Sequence, residues 1–234
     1  MVAEPGAVLF LQTLLNVDLL AAVSSGLQEE TGSRLESSPQ WQVNLQKEFG
    51  GSLRLSLQLL RKTKDLTRCY LSIRLPGAQL TLLQHPGVLP AVSLDVYTWL
   101  SLPDAKRLSH MAKMLSFYHM ITQQLRYHEA TKEDSQFLSR FEELSFNLRD
   151  LIHHVSYQMS LWGLQPESQP EPTLKPLHIL SHHSQWRNRQ EVYIILRSLS
   201  SFLCRVTRDF VILRKRAVKR TSLSKAPRAH RFPL

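Results

Sequence analysis

Residues 101–163 read SLPDAKRLSHMAKMLSFYHMITQQLRYHEATKEDSQFLSRFEELSFNLRDLIHHVSYQMSLWG, and the rest of the molecule is arranged around how this stretch folds back on itself. Apolar residues recur in it at spacings of three and four, without the alternation of a half-buried strand. Leu108, Met111, Leu115, Tyr118, Thr122 and Leu125 share one face of a helix. Ser101 is placed to cap that helix, Pro103 suits its first turn, and Asp104 stands at the capping-box offset. A second pattern starts at Thr131, with Asp134 at the same offset, and presents Phe137, Phe141, Leu144, Leu148, Leu151, Val155 and Met159. Gly163 is its natural stop. About three residues separate the two patterns, which forces an antiparallel hairpin.

Working outward, the spacing predicts one more helix on each side. From Trp41 to Ile73, Leu45, Phe49, Leu53, Leu57, Leu60, Leu66 and Tyr70 fall near one face. Gly50-Gly51 lies inside this run, at about 1 kcal/mol per glycine relative to alanine, and marks a bend or break. From Gln185 to Lys215, the apolar face is Val192, Leu196, Leu199, Leu203, Val206, Phe210 and Leu213. The flanking connections are long, at about 27 residues with Pro76-Gly77, Pro86-Gly87 and Pro90, and about 20 with Pro166, Pro170, Pro172 and Pro176. Long, short, long is the order an all-α, up-up-down-down four-helix bundle requires, the arrangement of growth-hormone-like cytokines, here over residues 41–213.

Composition agrees with a folded chain. The 234 residues suit one domain or two small ones, and 43% apolar with 21% charged residues excludes whole-chain disorder. Two cysteines exclude a disulfide scaffold. Residues 7–23, AVLFLQTLLNVDLLAAV, ending in Ala22-Val23-Ser24, resemble a secretory h-region, so residues 1–24 are expected to be a signal peptide and 25–40 a flexible segment. Against this stand Glu4, the absence of an early Lys or Arg, and Gln12, Asn16 and Asp18 inside the run; the other reading is an amphipathic N-terminal helix. None of Asn16, Asn44, Asn147 or Asn188 opens a glycosylation sequon.

The net charge is +10, and Arg214, Lys215, Arg216, Lys219, Arg220, Lys225, Arg228 and Arg231 lie in residues 214–234 with no acid among them, leaving +2 for the remainder. Residues 214–234 are therefore expected to be a disordered basic tail: a solvated end, a nuclear signal, or a contact to nucleic acid or glycosaminoglycan.

No chemistry of an enzyme assembles. There is no phosphate-cradling glycine loop. His178 with His182, and the pairs His153-His154 and His182-His183, supply no evident third ligand for zinc, so no metal and no cofactor is expected. Cys69 near the end of one helix and Cys204 within another are poorly placed for a mutual disulfide. The tryptophans carry more. Trp99 ends the first long connection, and Trp186 lies in the polar run Ser184-Gln185-Trp186-Arg187-Asn188-Arg189, where an exposed indole would anchor an interface. Packing against neighbouring loops is the other reading for both. Trp41 and Trp162, at helix ends, read as packing.

Several stretches together resemble the interleukin-6 family of long-chain cytokines, over about residues 42–213. They are Leu45-Gln46-Lys47-Glu48-Phe49, Leu75-Pro76-Gly77, Leu89-Pro90-Ala91-Val92-Ser93-Leu94, Trp99 and Leu148-Arg149-Asp150-Leu151, then Trp186, Tyr193, Leu196, Ser198-Leu199, Leu203, Arg205 and Arg208. The resemblance, carried by their order and spacing, is to an alpha subunit that acts in a heterodimer. It implies a secreted ligand that pairs with a soluble, receptor-like beta subunit, engages a specific receptor alpha chain and glycoprotein 130, and activates JAK–STAT signalling. It implies beta-subunit contact at Trp99, glycoprotein 130 contact at Trp186, and specific-receptor contact on the first and third helices. Two features depart from it: the second long connection has only Glu167 and Glu171 where mammalian members often carry an acidic run, and Gly50-Gly51 is unexpected. The reading from another class is an intracellular basic helical protein that binds nucleic acid through its C-terminal tail.

Overall fold

A computed structural model describes residues 39–78, 89, 96–164, 180 and 184–224, and the side chains of 39–44, 96 and 220–224 are not among them. These residues form α1 (Pro39–Arg74), α2 (Val96–Ser101), α3 (Asp104–Ala130), α4 (Leu138–Leu161) and α5 (Gln185–Ser224). The expected signal peptide (1–24), nearly all of segment 25–40, residues 225–234, and His178, His182 and His183 lie outside the described residues. No helix among those described is long and apolar enough to cross a membrane.

The core-facing line of α1 is Leu45, Phe49, Ser52, Ser56, Leu59, Thr63, Leu66 and Tyr70, at alternating steps of four and three. That is the seam of a helix packed along neighbours at a shallow angle. The face expected from the leucines is therefore corrected: Leu57 is 49% exposed, and Leu53 and Leu60 are half-buried. Small hydroxyl residues occupy the seam because each satisfies its oxygen locally or across the bundle. Ser56 Oγ donates to the Leu53 carbonyl, Thr63 Oγ1 to that of Leu59, and Gln158 Nε2 donates to Ser52 Oγ at 2.6 Å. The expected apolar faces of α3, α4 and α5 are buried throughout.

Cross-helix partners run in opposite sequence order. Along α1, Ser52, Lys62 and Arg74 meet Gln158, Glu143 and Asp134. Ser56 lies 3.5 Å from Thr207 of α5, and Gly50 faces Arg214. Along α3, Asp104, Arg107 and Tyr118 meet Arg216, Asp209 and Ser198 of α5, while Arg126 lies 3.9 Å from Glu142 of α4. Thus α1 and α3 are each antiparallel to both α4 and α5. The closest helix neighbours among the described residues are α1 with α5, α3 with α4, α1 with α4 and α3 with α5.

Four details differ from the sequence expectation. First, α1 passes through Gly50-Gly51 without interruption, since its continuous seam outweighs the propensity of two glycines. Second, Ser101 does not cap α3; it ends α2 and donates to the Thr98 carbonyl, while Pro103 occupies the N-cap of α3. Third, Thr131 is the C-cap of α3 and α4 starts at Leu138, so the hairpin connection is residues 131–137. Asp134 does not cap α4: its carbonyl and carboxylate both receive Arg74. Fourth, the tail does not begin at 214. Helix α5 continues to Ser224, with Ala217 buried and Arg216 bonded to the carboxylate of Asp104. Gly163 does stop α4, at φ 65°: its N–H reaches Ser160 O and the Leu164 N–H reaches Met159 O, the two bonds of a Schellman turn.

Candidate functional site

The two tryptophans singled out by the sequence lie far apart on the bundle. Asp209, the partner of Trp99, and Trp186 are both on α5 and 23 residues apart, about 35 Å at 1.5 Å per residue.

Trp186 is the second residue of α5. Ser184 starts the helix: its carbonyl accepts the Asn188 N–H, and its Oγ accepts the Arg187 N–H at 3.5 Å. Gln185 and Arg187 on either side are exposed, and this polar turn leaves the indole 43% exposed. Tyr70, near the end of α1, belongs to a separate buried cluster of rings. Tyr70 lies 5.1 Å from Phe137 and 6.5 Å from Phe141, centroid to centroid, and the Arg74 guanidinium covers Phe137 at 5.5 Å. Arg74 donates to Glu129, which also pairs with Lys132 and accepts the Phe137 N–H. Burial pushes the Tyr70 hydroxyl well above the usual phenol range.

Trp99 is placed differently. Its ring is half-buried on α2, and its Nε1–H donates to Asp209 Oδ1 at 2.8 Å. Arg107, 1% exposed, donates to the same carboxylate oxygen and to the Trp99 carbonyl at 2.7 Å, and its guanidinium lies 5.4 Å from the Trp99 ring centroid. Burial pushes the Asp209 carboxyl above its ordinary range, against the opposing charge and bonds of Arg107 and the bond from Trp99. Below this clamp, Arg216 joins the Asp104 carboxylate to the carbonyls of Leu100 and Leu102. The indole N–H of Trp99 is therefore committed inside the molecule. Beside it on α2, Tyr97 is 86% exposed.

The sequence reading passed over Arg107 and Asp209. The signal was present: Arg107 is four residues before Met111, and Asp209 lies between Val206 and Leu213 at steps of three and four, so each charge falls on an apolar face. Opposite charges at core positions of two helices predict a buried pair. His154 Nδ1 lies 3.4 Å from Ser52 Oγ, and His153 is exposed. No group of three or more His, Cys, Asp or Glu residues that could hold a metal occurs among the described residues. Both cysteines are half-buried free thiols, Trp162 is half-buried at the C-cap of α4, and the side chain of Trp41 lies outside the described residues.

No protein-family model matches the chain. Two curated proteins do. Interleukin-27 subunit alpha of Sus scrofa is 28% identical over 180 residues, covering 72% of this chain and 74% of the relative. Interleukin-27 subunit alpha of Homo sapiens is 28% identical over 193 residues, covering 73% and 76%. The chain is similar to the interleukin-27 alpha subunits. Within the interleukin-6 family, these are the proteins that the ordered stretches from Leu45 to Arg208 resemble, and an all-helical chain is consistent with a helical cytokine. At 28% identity, roles of single surface residues do not carry over with the similarity.

Proposed function

We propose that the chain is a secreted cytokine subunit that pairs with the soluble, receptor-like beta subunit of interleukin-27 to make a heterodimeric ligand. On this reading the pair binds the interleukin-27 receptor alpha chain and glycoprotein 130, and activates JAK–STAT signalling in T cells and innate immune cells. The chain acts by binding alone. The observation that carries the reading is the similarity to interleukin-27 alpha subunits over about three quarters of both chains. Two further facts support it. The antiparallel pairing of α1 and α3 with both α4 and α5 is what an up-up-down-down cytokine bundle requires. An exposed tryptophan stands in the first turn of α5, as an interface anchor needs.

The two surfaces have different tasks. Trp186 is proposed as the glycoprotein 130 contact, its indole supplying a large apolar area at small entropy cost. Trp99 with Tyr97 is proposed as the beta-subunit contact, held in place from behind by Asp209 and Arg107. Co-expression with the beta subunit in secretory cells tests the reading. The expected result is a stoichiometric complex in the medium, with the amino terminus cut near Ser24. An uncleaved, unpaired chain retained in the nucleus would refute it in favour of nucleic-acid binding. Within the complex, Trp186→Ala should raise the EC50 for STAT phosphorylation by about 30-fold or more, the equivalent of a hot spot of about 2 kcal/mol, and leave beta-subunit binding intact. An unchanged EC50 would remove Trp186 from the receptor contact.

A further inference from the structure

The bundle treats its basic residues in two ways. Arg74, Arg107 and Arg216 are committed to carboxylates, and Lys62 and Lys132 have ion-pair partners. On the face between α3 and α5 the pattern is different. Arg205, Arg208 and Lys215 lie within an arc of about 80° on α5, and Lys106, His110 and Lys113 within about 60° on α3, at 3.6 residues per turn. The two rows are neighbours. Asp209, beside Arg208, bonds Arg107, beside Lys106, and the electrostatic coupling of His110 runs to both Arg205 and Lys113. None of Lys106, Lys113, Arg208 or Lys215 has an ion-pair partner among the described residues. The acids on this side of the two helices, Asp104 and Asp209, are buried and bonded to Arg216 and Arg107.

We propose that the α3–α5 face, centred on Lys113, Arg205 and Arg208, binds a sulfated polysaccharide laid along the helices. A row of cations with no carboxylate between them matches a linear chain that carries an anion at each repeat, and the attraction is long-ranged and salt-sensitive. The face has charge and no exposed Phe, Tyr or Trp ring: Phe117 and Ile212, its large apolar residues, are half-buried. Single-stranded nucleic acid needs aromatic platforms for its bases, and a membrane-surface helix needs an apolar face to insert. The folded helices, and not the C-terminal residues 225–234, carry the site. Burial lowers the pKa of Arg205 and of His110, and the Asp209 carboxylate opposes the shift in both while the neighbouring cations add to it.

The test uses the full chain, without any partner, and heparin as the probe, so it stands whether or not the cytokine reading does. The affinity is measured at several salt concentrations. A triple variant, Lys113→Ala with Arg205→Ala and Arg208→Ala, is expected to weaken binding at least ~10-fold and to reduce the slope of log K against log salt by about 2–3, at roughly 0.7–0.9 per cation. A matched triple, Lys225→Ala with Arg228→Ala and Arg231→Ala, removes the same charge from the C-terminal residues and should have the smaller effect. Two variants separate the site from a folding defect: Lys106→Glu with Lys113→Glu touches only exposed residues and should also weaken binding, and Arg205→Lys with Arg208→Lys should retain most of it. Equal loss in the two alanine triples, no loss in the first, or tighter binding to a single-stranded oligonucleotide than to heparin would each overturn the proposal.

Discussion

Asp209→Asn is the perturbation that most directly tests how the α2 end of the bundle is built. Asparagine keeps the size of the side chain and an oxygen for the Trp99 N–H, but removes the charge opposite Arg107. Arg107 is 1% exposed and Asp209 4% exposed, so water cannot replace the lost partner. The guanidinium retains only the carbonyls of Trp99 and Leu102 as acceptors, and its Nε–H already has none. Breaking a buried pair from one side costs about 3–5 kcal/mol, because an uncompensated charge remains. For a domain of this size that is about 6–20 °C in Tm. Denaturant unfolding followed by far-UV circular dichroism reads the loss. Hydrogen exchange should show faster opening of Val96–Ser101, which the Trp99–Arg107–Asp209 clamp ties to the bundle beside the Arg216 bond to the Leu100 carbonyl. The double variant Arg107→Met with Asp209→Leu should recover most of the stability, within about 1 kcal/mol of the native chain, since neither charge is then stranded. A loss below about 1 kcal/mol for Asp209→Asn, or a double variant less stable than the single, would refute the buried-pair reasoning.

Gly51→Ala and Gly163→Ala should have opposite signs. A Cβ on Gly51 meets nothing within 4 Å on a continuous helix, so alanine should stabilise by about 0.5–1 kcal/mol, measured as a rise in denaturation midpoint. Gly163 is held at φ 65°, where a Cβ costs about 1–2 kcal/mol, and the midpoint should fall. Leu196→Ala, at a fully buried position of α5, should cost about 2–5 kcal/mol in the same assay. The pH dependence follows from His110, His119 and His128, whose pKa values are lowered, foremost by burial and then by Arg205, Arg149 and Lys132 respectively. The unfolded chain, with histidine near 6.5, takes up protons first as pH falls. Their contribution to stability is therefore complete above about pH 7 and is lost progressively below 6.5. Tm measured between pH 7.5 and 5.5 should fall, and His119→Gln should flatten that fall; a Tm unchanged by the substitution at both ends would exclude His119 as a contributor.

What was legible in the sequence, and what was not, divides along a physical line. The faces of α3, α4 and α5 could be read because their buried residues are nearly all large and apolar, so a period of three and four stands out. The face of α1 was misplaced because Ser52, Ser56 and Thr63 sit on its seam while Leu57 lies outside it. Hydropathy cannot distinguish a serine that bonds its own helix from one that bonds solvent. Helix ends were read from local chemistry at Ser101 and Thr131, yet each of these residues belongs to the element before it. The end of α5 was hidden because a run of arginines and lysines looks solvated, whereas inside that run Ala217 is buried and Arg216 is bonded to Asp104, more than one hundred residues away. The exposure of Trp186 followed from its polar neighbours, and exposure of that kind is a local property. The setting of Trp99 did not follow, because it depends on Arg107 and Asp209, which meet only when α3 and α5 pack. Buried charges are where sequence patterns fail in this protein, and they are also where α2, with Trp99 on it, is fixed in place. A surface held by such a pair has one geometry or none, and the Asp209→Asn variant should therefore impair the proposed beta-subunit contact at Trp99 before the proposed receptor contact at Trp186, about 35 Å away along the same helix.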